Sequence, residues 1–131
     1  MIVIDSSALV AIFLQEPDGE HFKEMIVADE DAVISAATLL ETSIVLRTFK
    51  GRGSVDEALD EFVGVALRVI DVDGNQIVIA REAHLRYGKG LGHPAQLNFG
   101  DCFSYALAKS LDVPLLYKGD DFAKTDIKSA L

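Results

Sequence analysis

The sequence predicts an α/β domain built on a central, mainly parallel sheet, and three observations carry that prediction. Four short apolar runs, MIVID, AVIS, RVIDV and VPLLY, alternate with longer segments whose apolar residues recur at helical spacing. No two consecutive runs read as a hairpin, so each strand reaches the next through a helix, which makes the pairing parallel. The 131 residues are 50% hydrophobic and 25% charged, enough for a buried core and too apolar for a disordered chain. With no internal repeat, low-complexity tract or linker, residues 1–131 read as a single domain.

MIVID is the first buried strand. SSALVAIFL continues as a helix with Ser6 or Ser7 near its start, and Pro17 and Gly19 break it. Asp18 stands where it would cap a second helix, running to about Ala28 with Phe22, Met25 and Ile26 inward. ADEDA turns the chain into AVIS, the second strand. AATLLETSIVLRTFK is a strong helix closed by the loop containing Gly51 and Gly53. Ser54-Val55-Asp56-Glu57 has the Ser-x-x-Glu form of a capping box, so a further helix runs to about Leu67. RVIDV is the third strand, Gln76 to Tyr87 a helix, and KGLGHPAQLNFG a Gly-rich loop. A helix then opens at Asp101 and runs to Leu111, with Phe103, Leu107 and Ser110 on one face. VPLLY is the fourth strand and GDDF the turn that follows it.

Several function classes drop out at this level. No apolar run spans a bilayer, and the N-terminus, interrupted by Asp5 with no basic residue before it, reads as strand and helix rather than signal peptide, so no membrane partner is expected. Cys102 is the only cysteine, which rules out an intramolecular disulfide and suits a reducing, cytoplasmic compartment. Its place is core packing. There is no phosphate-loop or dinucleotide spacing and no Cys/His zinc pattern. The net charge of −9 argues against unaided binding to a phosphate backbone. A reaction on nucleic acid would need a bound cation, a basic patch, or both.

In open parallel sheets, ligands sit off the carboxyl ends of the strands, and acids converge on that edge here. Asp5 ends the first strand, Glu41 lies early in the helix after the second, Asp101 opens the helix before the fourth, and Asp120 and Asp121 follow the fourth. Each has an ordinary reading. Asp5 and Asp101 could cap helices, and Asp120 and Asp121 could form a turn. Glu41 is harder to dismiss, because its helical neighbours Ala37, Thr38, Ile44 and Val45 give a charge no obvious partner. Carboxylates sharing one site repel, and a hard divalent cation such as Mg²⁺ or Mn²⁺ relieves that conflict through oxygen ligands. Such a cation would also admit a phosphodiester to an acidic pocket. Arg47, Lys50 and Arg52 end the Glu41 helix, Arg86, Lys89 and His93 precede Asp101, and Lys118 precedes Asp120. These cations could track an RNA backbone or simply be solvated helix ends.

Four segments, VIDSSALVAIFLQEP, SAATLLETSIVL, RYGKGLGHPAQLNFGDCFSYALAKS and PLLYKGDDFAKTDI, resemble the PIN-domain ribonucleases, most specifically the VapC toxins of toxin–antitoxin pairs. The resemblance covers nearly the whole chain, and NFGDCFSYALAK followed by LLYKGDDF is its most specific part. It implies an α/β/α sandwich and a metal-dependent endoribonuclease acting on RNA such as tRNA or rRNA. It carries the acidic constellation over to Asp5, Glu41 and Asp101, with a fourth acid in the GDDF turn, Asp120 or Asp121. Family members often place that acid where this chain has Gly119. Ser7, and less so Ser6, is the hydroxyl residue expected to support the first Asp. The resemblance further implies a homodimer and a cognate VapB-type antitoxin, whose basic side chain would reach the acids of this negatively charged chain.

On that reading Asp5 and Asp101 hold Mg²⁺ or Mn²⁺, Glu41 completes or orients the ligand set, and the turn acid assists. In-line hydrolysis would leave a 5′-phosphate and a 3′-hydroxyl. His21, His84 and His93 show no nucleophile–base pattern and have no role in it. Two rival readings stand beside it. A receiver-like signalling domain would use Asp71 or Asp73 near the third strand and Lys118 after the fourth. A PIN-like RNA- or protein-binding module would lack nuclease activity, but such modules usually lose the acids, and here all are present.

Overall fold

A computed structural model describes residues 1–51 and 53–131; Arg52, one of the cations considered for RNA binding, lies outside the described residues. Strands β1 (Ile2–Ile4), β2 (Ala32–Ser35), β3 (Arg68–Ile70) and β4 (Leu115–Leu116) form one sheet in the order β3-β2-β1-β4. All three pairings are parallel, with Val3 opposite Val33 and Leu115, and Ile34 opposite Val69. Successive strand residues face opposite sides of a sheet. Val3, Val33 and Leu115 accordingly enter one core layer, and Ile4, Ile34 and Leu116 the other. All six are fully buried, each side chain contributing about 1.5–3 kcal/mol of apolar burial.

Helices α1 (Ser6–Phe13), α2 (Gly19–Ala28), α3 (Ala36–Lys50) and α4 (Ser54–Ala66) supply the layer around Ile4, through Leu9, Phe22, Ile26, Leu46 and Leu59. Helices α5 (Gly74–Tyr87) and α6 (Phe99–Leu111) cover the other face with Tyr87, Tyr105 and Leu107. The result is an α/β/α sandwich. Because β1 lies between β2 and β4, the chain leaves it in one direction and returns on its other side. That reversal opens a crevice at the carboxyl ends of β1 and β4, where open sheets bind ligands.

Pro17 lies between α1 and α2, Gly19 opens α2, and Asp18 stands at the expected N-cap, although it makes no side-chain cap bond. A Cβ on Gly19 would lie 2.4 Å from the Ala11 carbonyl oxygen, so the two helices meet closely there. Other local expectations are corrected. The capping box at Ser54 does not form, since Gly53, at φ +86°, takes the N-cap position and Ser54 becomes the first helical residue. α5 starts at Gly74, two residues earlier than read, with the Asp73 side chain accepting from Gln76 N at 2.8 Å. The fourth strand is shorter than VPLLY, although Val3 N still donates to the Pro114 carbonyl. Among the described residues no helix is long and apolar enough to cross a membrane.

Candidate active site

Asp5 leaves the end of β1 and caps α1. Its Oδ2 accepts from Ser7 N (3.0 Å) and Ser7 Oγ (2.6 Å), and its Oδ1 accepts from Ser104 Oγ (2.6 Å). The carboxylate is 2% exposed. Ser7 Oγ in turn accepts from Lys118 N at 2.9 Å, tying the first acid to the end of β4. Glu41 stands on α3, half-buried, and accepts from Ser6 Oγ at 2.8 Å. Its carboxylate rests against the backbone of Gly100, where a Cβ would lie only 1.8 Å from Oε2. A glycine immediately before Asp101 is therefore what lets Glu41 reach α6.

Asp101 sits at the third position of α6, not at its start. Asn98 is the N-cap, and the two residues exchange bonds: Asp101 N donates to Asn98 Oδ1 (2.9 Å) and Asn98 N to Asp101 Oδ2 (3.0 Å). The capping interpretation of Asp101 is thus correct in part, since its second oxygen makes no bond inside the box. Electrostatics supplies the remainder. Burial, then the charges of Asp5, Glu41 and Asp121, push the Asp101 carboxyl up to about 7 against the pull of the Asn98 amide. Glu41 is likewise raised, by burial and by Asp5, with the Ser6 hydroxyl opposing. Four acids from four segments therefore share one field. Within the GDDF turn, the charge of Asp121 is among those that raise Asp101.

The donor set is oxygen alone, which suits a hard divalent cation. The Asp5, Glu41 and Asp101 carboxylates are each turned to a hydroxyl or amide donor, and among the described residues no three His, Cys, Asp or Glu side chains are drawn together as a ready cage. The fit lies in the chemistry and the Gly100 cradle: a raised Asp101 beside three further acids is the environment a divalent cation compensates.

Other residues fall outside this cluster. Arg47 pairs with Asp56, Arg86 with Asp126, and Lys118 with Glu16 and Asp18. Lys50 and Lys89 are exposed and make no ion pair among the described residues. Buried Cys102, its thiol pushed up to about 11 mainly by burial, packs with Ala80 and Ala106. Asp73 is used as the α5 cap and the Asp71 carbonyl accepts from Gln76 Nε2, leaving a receiver-like arrangement without support.

A PIN-domain family model matches residues 2–128. The chain belongs to the PIN-domain family. Ribonuclease VapC30 of Mycobacterium tuberculosis is 46% identical over 127 residues, covering 96% of this chain and 95% of that protein. Among solved structures, VapC20 of Mycobacterium tuberculosis, described as a sarcin-ricin-loop-cleaving toxin, superposes with a TM-score of 0.79 at 18% identity, over 97% of this chain and 96% of that one. VapBC2 from Rickettsia felis, bound to a fragment of promoter DNA, gives a TM-score of 0.72 at 16% identity, over 98% and 96% of the two chains. In this PIN domain the crevice at β1 and β4 is the place to look for chemistry.

Two residues of that crevice were not singled out from the sequence. Ser104 is fully buried, and Thr38 Oγ1 lies 3.1 Å from its Oγ. The available signal was spacing: Ser104 stands one helical turn after Asp101, and Thr38 one turn before Glu41. Asn98 was not singled out either, and its signal was that Asn98-x-x-Asp101 is itself a capping pattern.

Proposed function

We propose that this chain is an endoribonuclease of the VapC type, the toxin of a toxin–antitoxin pair, which hydrolyses RNA phosphodiesters with Mg²⁺ or Mn²⁺. The observation that carries this reading is the shared field of Asp5, Glu41, Asp101 and Asp121 in one crevice. Asp5 and Asp101 would hold the cation, with Glu41 beside them and Asp121 at the rim. When bound, the cation supplies charge neutralisation at the phosphate and a more acidic water. The protein's own part is placement. Ser7 and Ser104 fix the Asp5 carboxylate, Gly100 lets Glu41 lie against α6, and Asn98 aims Asp101. RNA would be followed by cations beyond the acids, with exposed Lys50 and Lys89 the least encumbered and Arg47, Arg86 and Lys118 already sharing acidic partners.

A basic segment of a VapB-type antitoxin fits a chain of net charge −9 and is supported by the likeness to VapBC2. Homodimerisation is supported by the apolar groove between α5 and α6, about 760 Å³, edged by exposed Ile77, Val78, Leu85, Leu91 and Phe99. A cytoplasmic location suits the single free cysteine.

The test is cleavage of total cellular RNA by purified, antitoxin-free protein with Mg²⁺, with Mn²⁺ and with excess chelator, alongside Asp5→Asn. Metal-dependent cleavage lost in the variant supports the reading. Cleavage that persists in chelator overturns it.

A further inference from the structure

We infer that Ser6 is the positioning residue for Glu41, holding its carboxylate against α6 beside Asp5 and Asp101. The inference rests on the metal-nuclease reading and deepens it.

Two adjacent hydroxyls serve two different acids. Ser6 and Ser7 open α1, and successive helical residues point about 100° apart. Ser7 turns to Asp5, donating through N at 3.0 Å and through Oγ at 2.6 Å. Ser6 Oγ turns away from Asp5 and donates to Glu41 Oε1 at 2.8 Å, across 35 positions of the chain. Ser6 is therefore not a second support for the first acid but the support of another.

Glu41 needs one. It is half-buried, and among the described residues it makes no ion pair and has no hydrogen-bond donor other than Ser6 Oγ. Arg47, two turns further along the same helix, is engaged by Asp56 through bonds of 3.0 and 2.6 Å. The charge of Asp5 pushes against Glu41. Glu is also among the side chains that lose most rotamer freedom when fixed. With water on one side and a like charge on the other, an untied Glu41 would swing outward. The Ser6 bond opposes that swing. It ties Oε1 to α1 and leaves Oε2 against the backbone of Gly100, one residue before Asp101. A carboxylate placed in advance needs no rearrangement when the cation and the phosphodiester arrive.

The role is separable from folding. Asp5, not Ser6, is the N-cap of α1, and alanine is the best helix former, so Ser6→Ala removes the hydroxyl and keeps the helix.

The test measures Mn²⁺ affinity by calorimetry on chelator-stripped protein, with RNA cleavage and urea unfolding alongside. The variants are Ser6→Ala, Ser6→Thr, Ser6→Cys and Asp5→Asn. Ser6→Ala is expected to weaken Mn²⁺ by roughly 10-fold, the scale seen when a ligand's outer partner is lost. Its kcat for RNA should fall with KM little changed, and its urea midpoint should stay close to that of the original chain. Ser6→Thr keeps the hydroxyl and should restore both affinity and kcat. A crystal structure of Ser6→Ala should show Glu41 turned away from Gly100. Should Ser6→Ala not fold, Ser6→Cys, close in shape but a weak donor, carries the same comparison. Unchanged Mn²⁺ affinity in the folded variant, a loss that Ser6→Thr shares, or a Glu41 that stays against Gly100 would overturn the inference while Asp5→Asn still abolished Mn²⁺ binding. Mn²⁺ binding that survives Asp5→Asn would instead overturn the metal-nuclease reading, and this inference with it.

Discussion

Replacing Asp101 by Asn is expected to stabilise the metal-free protein above neutral pH. The Asp101 carboxyl is pushed up to about 7 by burial and by Asp5, Glu41 and Asp121. In the unfolded chain it returns to an ordinary value of about 4. The sign follows from the proton count. Between these two values the folded chain holds the proton and the unfolded chain does not, so stability falls as pH rises through this window and levels off above it. Each pH unit is about 1.4 kcal/mol, so the full cost at pH 8 is about 4 kcal/mol, and relaxation around a half-buried group reduces it to about 2–4 kcal/mol. Asn removes the charge and keeps the cap, because its Oδ1 can still accept from Asn98 N and its own N–H still donates to Asn98 Oδ1. The assay is urea unfolding followed by circular dichroism in chelator, across pH 4 to 8. The variant should exceed the original chain most at pH 8, with the gap closing toward pH 4. Equal stability at pH 8, or a gap that does not shrink with acid, would refute the crowding of charge at this site.

Three further outcomes follow from the same geometry. Gly100→Ala places a Cβ 1.8 Å from Glu41 Oε2, so the end of the glutamate side chain is displaced; RNA cleavage should fall while urea unfolding changes little, because the tip of a flexible side chain moves rather than backbone. Gly19→Ala meets the Ala11 carbonyl at 2.4 Å; it should lower stability by about 1–3 kcal/mol in the same assay while cleavage per folded molecule stays unchanged. Asp121→Asn should reduce metal-dependent cleavage more than Asp120→Asn, because the Asp121 charge adds to the field that raises Asp101; parallel cleavage rates check this.

The layer order was legible because parallel strands buried on both faces read as short apolar runs, and Val3-Ile4, Val33-Ile34 and Leu115-Leu116 each serve both cores. Helix starts were less legible where two caps compete. Ser54 carries the right side chain, yet the positive φ of Gly53 puts the cap one residue earlier. Asn98 and Asp101 are both good caps three residues apart, and only the backbone decides which one leads. At the crevice, acids on apolar segments stand out in a sequence, so Asp5, Glu41 and Asp101 could be gathered from it. The reach of the Asp121 charge to Asp101 could not, because it depends on how the chain turns at Gly119, with φ +101°. Ser104 and Thr38 stayed hidden because a hydroxyl on a helix looks neutral until α3 and α6 are packed together.

The most direct single measurement is a crystal structure grown with Mn²⁺, located by its anomalous signal. One peak should appear in the crevice with Asp5 Oδ1 and an Asp101 oxygen among its ligands, and with Glu41 and Asp121 beside it. A protein that cleaves RNA with Mn²⁺ but carries its anomalous peak elsewhere would contradict the assignment of these acids as the metal centre.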